Sequence, residues 1–279
     1  MRPVRDGLLT LAGTVGTTLV WRGLRAGRDQ PWAARWERTN HAGRPVTLLE
    51  GVALVGGTAG TALLTGAASP GGSLPYAVAS LGAGSLGALD DLRQDTDRKG
   101  LAGHLRALAH GRVTTGAIKV VGLVATGLVV TALEDARGRA SVREAWGTLA
   151  GAAVVAGSAN LANLFDLRPG RALKVGVLTA VPLVATRPGS PAAAVTLGAV
   201  LALLPDDLAG TSMLGDTGAN PLGAVLGLAV VQRQGPLART VTLGLVTALT
   251  LASEKVSFTR VIESTPVLRE LDALGREPR

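Results

Sequence analysis

The sequence contains no cysteine, which excludes both a disulfide framework and a thiolate metal site. Charge is scarce as well: only 17% of the 279 residues are Asp, Glu, Lys or Arg, against 47% hydrophobic. Residues 51–89 run for 39 positions, and residues 146–165 for another 20, without one acidic or basic side chain. Such runs are foreign to a soluble domain, and a helical span of the hydrocarbon core needs about 20 apolar residues. The longer run is interrupted by the turn-forming Ser69-Pro70-Gly71-Gly72-Ser73-Leu74-Pro75, so it reads as a helical hairpin. A formal net charge of +8 does not point to nucleic acid, because most Lys and Arg sit in short loops between apolar runs. There, orientation and anionic lipid account for them. The apolar stretch after Arg5 has the length of a signal-peptide core, but Arg22, Arg25 and Arg28 follow it and no small-residue cleavage pattern does. It reads as the first span.

The apolar runs predict nine helices, near residues 7–23, 46–67, 74–89, 115–133, 146–165, 172–186, 190–204, 217–232 and 238–253. The expected fold is therefore an all-α polytopic membrane bundle of about nine spans, with residues 1–279 a single domain. Residues 1–253 form the bundle and 254–279 a cytoplasmic or interfacial tail. Alternate loops carry Arg22, Arg25, Arg28, Arg35, Arg38 and Arg44, then Arg93, Arg98, Lys99, Arg106, Arg112 and Lys119, then Arg168, Arg171 and Lys174. The tail adds Lys255, Arg260, Arg269, Arg276 and Arg279. The positive-inside bias then puts the N-terminus outside and the C-terminus in the cytoplasm. Closely spaced Gly51, Gly56, Gly57 and Gly60 let backbones approach where lipid offers no hydrophobic drive to pack. No fixed-period repeat is present.

Three polar clusters break the apolar pattern. Asp90 and Asp91 end the third predicted helix, and adjacent helical residues point about 100° apart, so one carboxylate can face inward while the other binds a neighbour. Asn160, Asn163 and Asp166, at i, i+3 and i+6, place oxygen-bearing side chains along one helix stripe that ends at the membrane surface. Amides within a span also serve as interhelical hydrogen bonders. Gly215-Asp216-Thr217-Gly218 precedes the eighth predicted helix, whose N-terminus offers unpaired N–H groups to a phosphate. Asp216 would repel that phosphate unless a divalent cation lay between them, and Mg²⁺ suits oxygen-only ligands. An Asp N-cap explains the motif nearly as well. The charge-derived topology puts all three clusters on the cytoplasmic side with Lys99, His104, Arg106 and Arg112, a setting for phosphoryl transfer on a lipid phosphate.

These residues resemble the polyprenyl-phosphate N-acetylhexosamine-1-phosphate transferases, which include the translocase that makes the first lipid intermediate of peptidoglycan. The resemblance covers most of the chain. It rests on Arg38-Thr39-Asn40-His41-Ala42-Gly43-Arg44-Pro45-Val46, on Asp90-Asp91 followed by Lys99-Gly100-Leu101, on the Asn160, Asn163 and Asp166 stripe, and on Gly215-Asp216-Thr217-Gly218. It implies transfer of a sugar 1-phosphate from a UDP-sugar to polyprenyl phosphate with Mg²⁺ and release of UMP, at the plasma membrane, in envelope glycan synthesis. By the same resemblance Asp216 and Asn163 would hold the metal. Asp90 would orient or deprotonate the lipid phosphate, Asp91 and Asp166 would support the site, and Lys99, Asn160 and Arg44 would serve the substrates. Related members pair as dimers, so a homodimer is also implied.

The sequence departs from the family in three ways. The histidine-rich motif of the last cytoplasmic loop is replaced by Ser253-Glu254-Lys255-Val256-Ser257-Phe258-Thr259-Arg260, with no His after His110. Pro169 stands where many members carry a second Asp after the stripe carboxylate, and nothing after Ser253 is apolar enough for a tenth span. Arg168, Arg171, Lys255 and Arg260 offer guanidinium and ammonium groups that could grip the donor diphosphate instead, or they could merely set topology. The alternative function is a non-catalytic paralogue that binds lipid phosphate as a partner in envelope assembly. A small transporter would place its acidic residues near mid-span, and here they lie at helix ends.

Overall fold

The computed structural model describes residues 2–40, 43–66, 72–93, 114–136, 138, 141–186 and 190–276. Each of the nine apolar segments is a helix: α1 (Arg2–Ala26), α2 (Leu49–Thr65), α3 (Leu74–Arg93), α4 (Thr115–Asp135), α5 (Val142–Phe165), α6 (Arg171–Ala185), α7 (Pro191–Leu208), α8 (Gly215–Val231) and α9 (Pro236–Lys255). The tail adds two short helices, α10 (Phe258–Ser264) and α11 (Pro266–Ala273). Among the described residues the bundle also carries a 3-10 turn at Ala33–Trp36, a small antiparallel hairpin of β1 (Glu37–Thr39) and β2 (Pro45–Thr47), and a single parallel bridge between Thr47 and Ser212. Among the described residues four helices, α4, α5, α7 and α9, are long and apolar enough to cross a membrane, and α2 is a shorter apolar helix.

Local sequence explains where the helices begin. Thr114, Ser141, Ser190 and Ser257 each accept a backbone N–H three residues on, at the starts of α4, α5, α7 and α10. Pro191 and Pro236 occupy first-turn positions in which no intrahelical N–H is needed. At the end of α2, Gly66 takes the left-handed conformation (φ 58°).

The core is built on α8, which is buried along almost its whole length and packs against α2, α3, α5, α6 and α7. This core is made of Ala, Val, Leu and Gly, because the helices approach closely through small residues. A methyl group on Gly51 of α2 would overlap the Leu214 carbonyl and the Gly218 backbone N, and one on Gly87 of α3 would overlap the Asp216 carbonyl. Gly57 likewise meets Thr17 of α1, whereas the space beside Gly60 is open. On the outside the pattern is inverted from that of a soluble protein. Leu237, Val241, Leu245 and Leu249 present an exposed apolar stripe at i, i+4 spacing on α9, a helix whose main packing partner is α5.

Side-chain contacts show which helix ends meet. Trp21 Nε1 and Arg25 Nη1 of α1 both donate to Asp206 near the end of α7, at 2.8 Å each, and the ends of α3 and α5 meet the start of α8. At the opposite end Arg239 of α9 grips both carboxylate oxygens of Asp135 at 2.6 and 2.9 Å. There, Gln232 Nε2 also donates to Glu134, and Arg233 Nη1 donates to the Leu183 and Thr186 carbonyls. The helices thus run up and down, and the three polar clusters share one end.

Candidate functional site

The site is organised by residues 210–217, the approach to α8. Gly210 (φ 67°) and Gly215 (φ 60°) adopt the left-handed conformation, and a Cβ on Gly215 would also lie 2.9 Å from Asp91 Oδ2. This segment is tied down from several sides. The Met213 N–H donates to the Thr47 carbonyl of β2 (3.1 Å), and Ser212 Oγ donates to Glu50 Oε2 of α2 (2.5 Å). The Gly215 N–H donates to Asp166. Asp91 accepts from the N–H groups of Asp216 (3.2 Å) and Thr217 (2.8 Å) and from Thr217 Oγ1 (2.6 Å). The first N–H groups of α8, which no residue of its own helix can satisfy, are therefore capped by a carboxylate from α3.

The two neighbouring aspartates of α3 divide their work as their 100° separation requires. While Asp91 caps α8, Asp90 meets Lys119 of α4, whose Nζ lies 3.5 Å from Asp90 Oδ2 and also donates to Asp216 Oδ2. The Lys119 side chain is only 13% exposed, against 32% for Asp90 and 20% for Asp216, so the lysine is the most enclosed of the three side chains. Both aspartates lie beyond the apolar stretch that ends at Leu89. Burial pushes Asp90 up to about 6, the hydrogen bond and charge of Asp216 push the same way, and Lys119 opposes them. Burial and the charge of Asp216 also raise Asp91, against its bonds to Thr217 and Asp216. Arg38 of the hairpin donates Nη2 to the Asp91 backbone carbonyl, satisfying an orphan carbonyl at the end of α3.

Asp166 follows the last residue of α5, with φ −80° and ψ 43°, so the predicted stripe leaves the helix at its carboxylate. The physical reason is the competing donor on Gly215, which draws the Asp166 side chain into the base of the loop. Its carboxyl is pushed well up by burial first and then by the charge of Asp207, while the Gly215 bond opposes. Asn160 and Asn163 remain on the last turns of α5, half-buried. Asp207 is 1% exposed and accepts the Gly170 N–H at 3.0 Å, leaving Oδ2 without a partner, as is Oε1 of the fully buried Glu50.

The basic candidates separate into committed and open groups. Arg171 donates Nε and Nη2 to the two carboxylate oxygens of Asp272 at 2.8 Å each and Nη1 to Thr259 Oγ1 at 2.9 Å, and its side chain is 3% exposed. Arg168 lies 3.4 Å from Glu263. Lys174 and Arg276 complete this latch: Lys174 Nζ donates to the Leu271 and Asp272 carbonyls, and Arg276 reaches both Asp272 and the Pro169 carbonyl. The tail is thus fastened over the loop that follows Asp166, and Phe258 of α10 stacks on Phe165 with ring centroids 5.4 Å apart. By contrast Arg44, in the hairpin turn, and Lys255, at the end of α9, are exposed. Lys99, with His41, His104 and His110, lies outside the described residues.

Sequence reasoning missed Lys119 as a site residue, together with Glu50, Asp207, Ser212 and Thr217. Lys119 reads from sequence as one more basic residue in a charged segment, and only the helix packing brings it to Asp90 and Asp216. Thr217 did carry a signal, since it directly follows Asp216 at a helix start.

Among the described residues no group of three His, Asp or Glu side chains converges as a metal cage. Two carboxylates sharing one enclosed cation are nonetheless a chemically suitable seat for Mg²⁺, which is commonly held by one or two carboxylates with substrate phosphate and water supplying the rest. In this structure the positive charge between them is that of Lys119. No protein-family model matches the chain, and no curated protein matches it.

Proposed function

We propose that this chain is a membrane glycosyl-phosphotransferase that moves a sugar 1-phosphate from a UDP-sugar to polyprenyl phosphate, with release of UMP, in cell-envelope glycan synthesis. The observation that carries the reading is the pairing of Asp90 and Asp216 around Lys119, at the helix end where Asp91 and Asp166 hold the α8 loop. Such an arrangement suits a reaction in which two anionic substrates must meet. In this reading the apolar stretches of the nine long helices are the spans, the N-terminus is outside, and the site opens on the cytoplasmic face of the plasma membrane, where the basic loops also lie. Mg²⁺ would be held by Asp216 and Asp90, with Asn163 on the adjoining turn of α5, and would supply charge neutralisation to the pyrophosphate.

The chain's own residues would do the following. Asp91 and Asp166 are positioning residues: each accepts N–H groups of the α8 approach and so fixes Asp216 opposite Asp90. A lipid phosphate monoester has its second pKa near about 6 and is already largely ionised at neutral pH, so Asp90 need only orient it. A phosphate oxygen of the lipid attacks the phosphorus that bears the sugar, the pyrophosphate P–O bond breaks, and UMP leaves with that electron pair. Arg44 and Lys255, both exposed, are the candidate cations for the donor phosphates, with Asn160 a further polar contact. Arg168 and Arg171 would reach donor only if the tail released them.

That last point favours a second reading, a non-catalytic paralogue that binds lipid phosphate as an assembly partner, because Asp272 occupies Arg171 on both oxygens. One assay separates the two. Purified protein with Mg²⁺ and undecaprenyl phosphate is offered a panel of UDP-sugars, and UMP release is measured beside Asp216→Ala. Release that requires the lipid, one sugar and Asp216 supports the transferase. No release from folded protein that binds lipid phosphate supports the partner.

A further inference from the structure

Lys119 Nζ is within hydrogen-bonding distance of Asp216 Oδ2 and 3.5 Å from Asp90 Oδ2. A Mg²⁺ ion on either oxygen would sit about 2.0–2.1 Å away and would demand near-octahedral room. An ammonium that already touches the same carboxylate atom fills that room, and two cations so close repel strongly. Metal and ammonium therefore compete for these two Oδ2 atoms. The lysine is also the more enclosed member, rising from the second turn of α4, so it is built into the packing as the pair's resident counter-ion. Its four-carbon stem gives the ammonium freedom to leave the pair without moving α4.

We infer that Lys119 is an internal competitor for the divalent cation at the Asp90–Asp216 pair, so that the metal enters only when the ammonium is drawn off. The inference rests on the divalent-ion reading above. It makes metal occupancy conditional on an anion that can take Lys119 away, which couples metal binding to arrival of a phosphate ligand. Lys119 is accordingly a positioning residue in the sense that it acts on the carboxylates that hold the metal. The resting site keeps one positive charge between its two carboxylates without a metal, so their mutual repulsion is partly offset.

The test is Mn²⁺ binding to the purified full chain, followed by the electron paramagnetic resonance of free Mn²⁺, without lipid or nucleotide. Lys119→Met should bind Mn²⁺ at least tenfold more tightly than the wild type, and Lys119→Arg, which keeps a cation, should stay at or below the wild-type affinity. Asp216→Asn in the Lys119→Met background should abolish the gain. Adding inorganic pyrophosphate should tighten Mn²⁺ binding more in the wild type than in Lys119→Met, once the free Mn²⁺ lost to pyrophosphate in a protein-free blank is subtracted. Should Lys119→Met prove unfolded, Lys119→Gln takes its place, and the wild-type response to pyrophosphate is an independent readout. Equal or weaker Mn²⁺ binding by the neutral variants, in protein whose wild type releases UMP with Mg²⁺, overturns the competitor and leaves the transferase standing. Absence of Mn²⁺ binding in every variant, with or without pyrophosphate, overturns the competitor and the divalent-ion reading together.

Discussion

The capping of α8 by a carboxylate from α3 makes a quantitative prediction. Asp91→Ala removes the acceptor of two backbone N–H groups and one hydroxyl, at 3.2, 2.8 and 2.6 Å. A donor left without a partner costs about 1–3 kcal/mol where water cannot replace it, and loss of a helix cap about 1 kcal/mol. Water reaches part of this half-buried end, so the two N–H groups and the hydroxyl together should cost about 3 kcal/mol, each at the low end of that range. Part of the loss is offset, because burial and the charge of Asp216 hold Asp91 above the ordinary carboxylate range, and its ionised form is therefore disfavoured in the folded protein. Asp91→Asn keeps one acceptor oxygen and sheds that charge, so its cost should be near 1 kcal/mol, typical of one hydrogen bond. For a large chain about 2 °C of Tm corresponds to each kcal/mol, which predicts a fall of at most about 6 °C for Asp91→Ala and about 2 °C for Asp91→Asn in detergent. A double-mutant cycle of Asp91→Asn with Thr217→Val should show coupling above about 0.5 kcal/mol, since the two side chains share a bond. Asp91→Ala melting within 1 °C of the wild type, or an uncoupled cycle, would refute the cross-helix cap.

Three further perturbations probe other parts of the fold. Gly87→Ala should destabilise by about 1–3 kcal/mol by thermal melting, as its methyl overlaps the Asp216 carbonyl, while Gly60→Ala, which faces open space, should be neutral or slightly stabilising. Arg239→Met should cost about 3 kcal/mol, the low end for a broken buried pair because the Asp135 side chain is 28% exposed, and Asp135→Asn in the same background should recover part of it. At Asp272, burial favours the neutral acid, but the Arg171 and Arg276 guanidinium groups outweigh it and hold the carboxyl below its ordinary value. Its stabilising contribution is therefore complete above about pH 4, the ordinary carboxylate pKa, and is lost as the pH falls through the folded value. Pepsin should accordingly release the tail only in strong acid, and Asp272→Asn should make it sensitive to trypsin at pH 7.

The helices were legible because their causes are local. An uncharged run of the right length, ended by Pro, Gly or Ser, must satisfy its own backbone hydrogen bonds, and a helix does so within one segment. Serine and threonine caps at residues 114, 141 and 190 mark the starts that the apolar pattern alone leaves uncertain. The clustering of acidic residues at helix ends was legible for the same reason, since a carboxylate inside an apolar span is costly. The hairpin of residues 37–47 and the two tail helices escaped because they are short, mixed in polarity and held by partners far along the chain.

Sequence by itself determined that this chain forms apolar helices with Asp90, Asp91, Asp166 and Asp216 near their ends. It left open whether Arg168 and Arg171 bind an anion or only set topology. Tertiary structure decided what each group does with its charge. It turned Asp91 and Asp166 onto the N–H groups of the α8 approach, closed Arg171 onto Asp272, and brought Lys119 between Asp90 and Asp216. The physical reason is that a helix end carries unsatisfied N–H or carbonyl groups and a charge seeks its opposite, but both needs can be met by any residue that packing delivers. Which residue arrives depends on close contacts such as Gly87 against Asp216, between positions 129 apart in the chain.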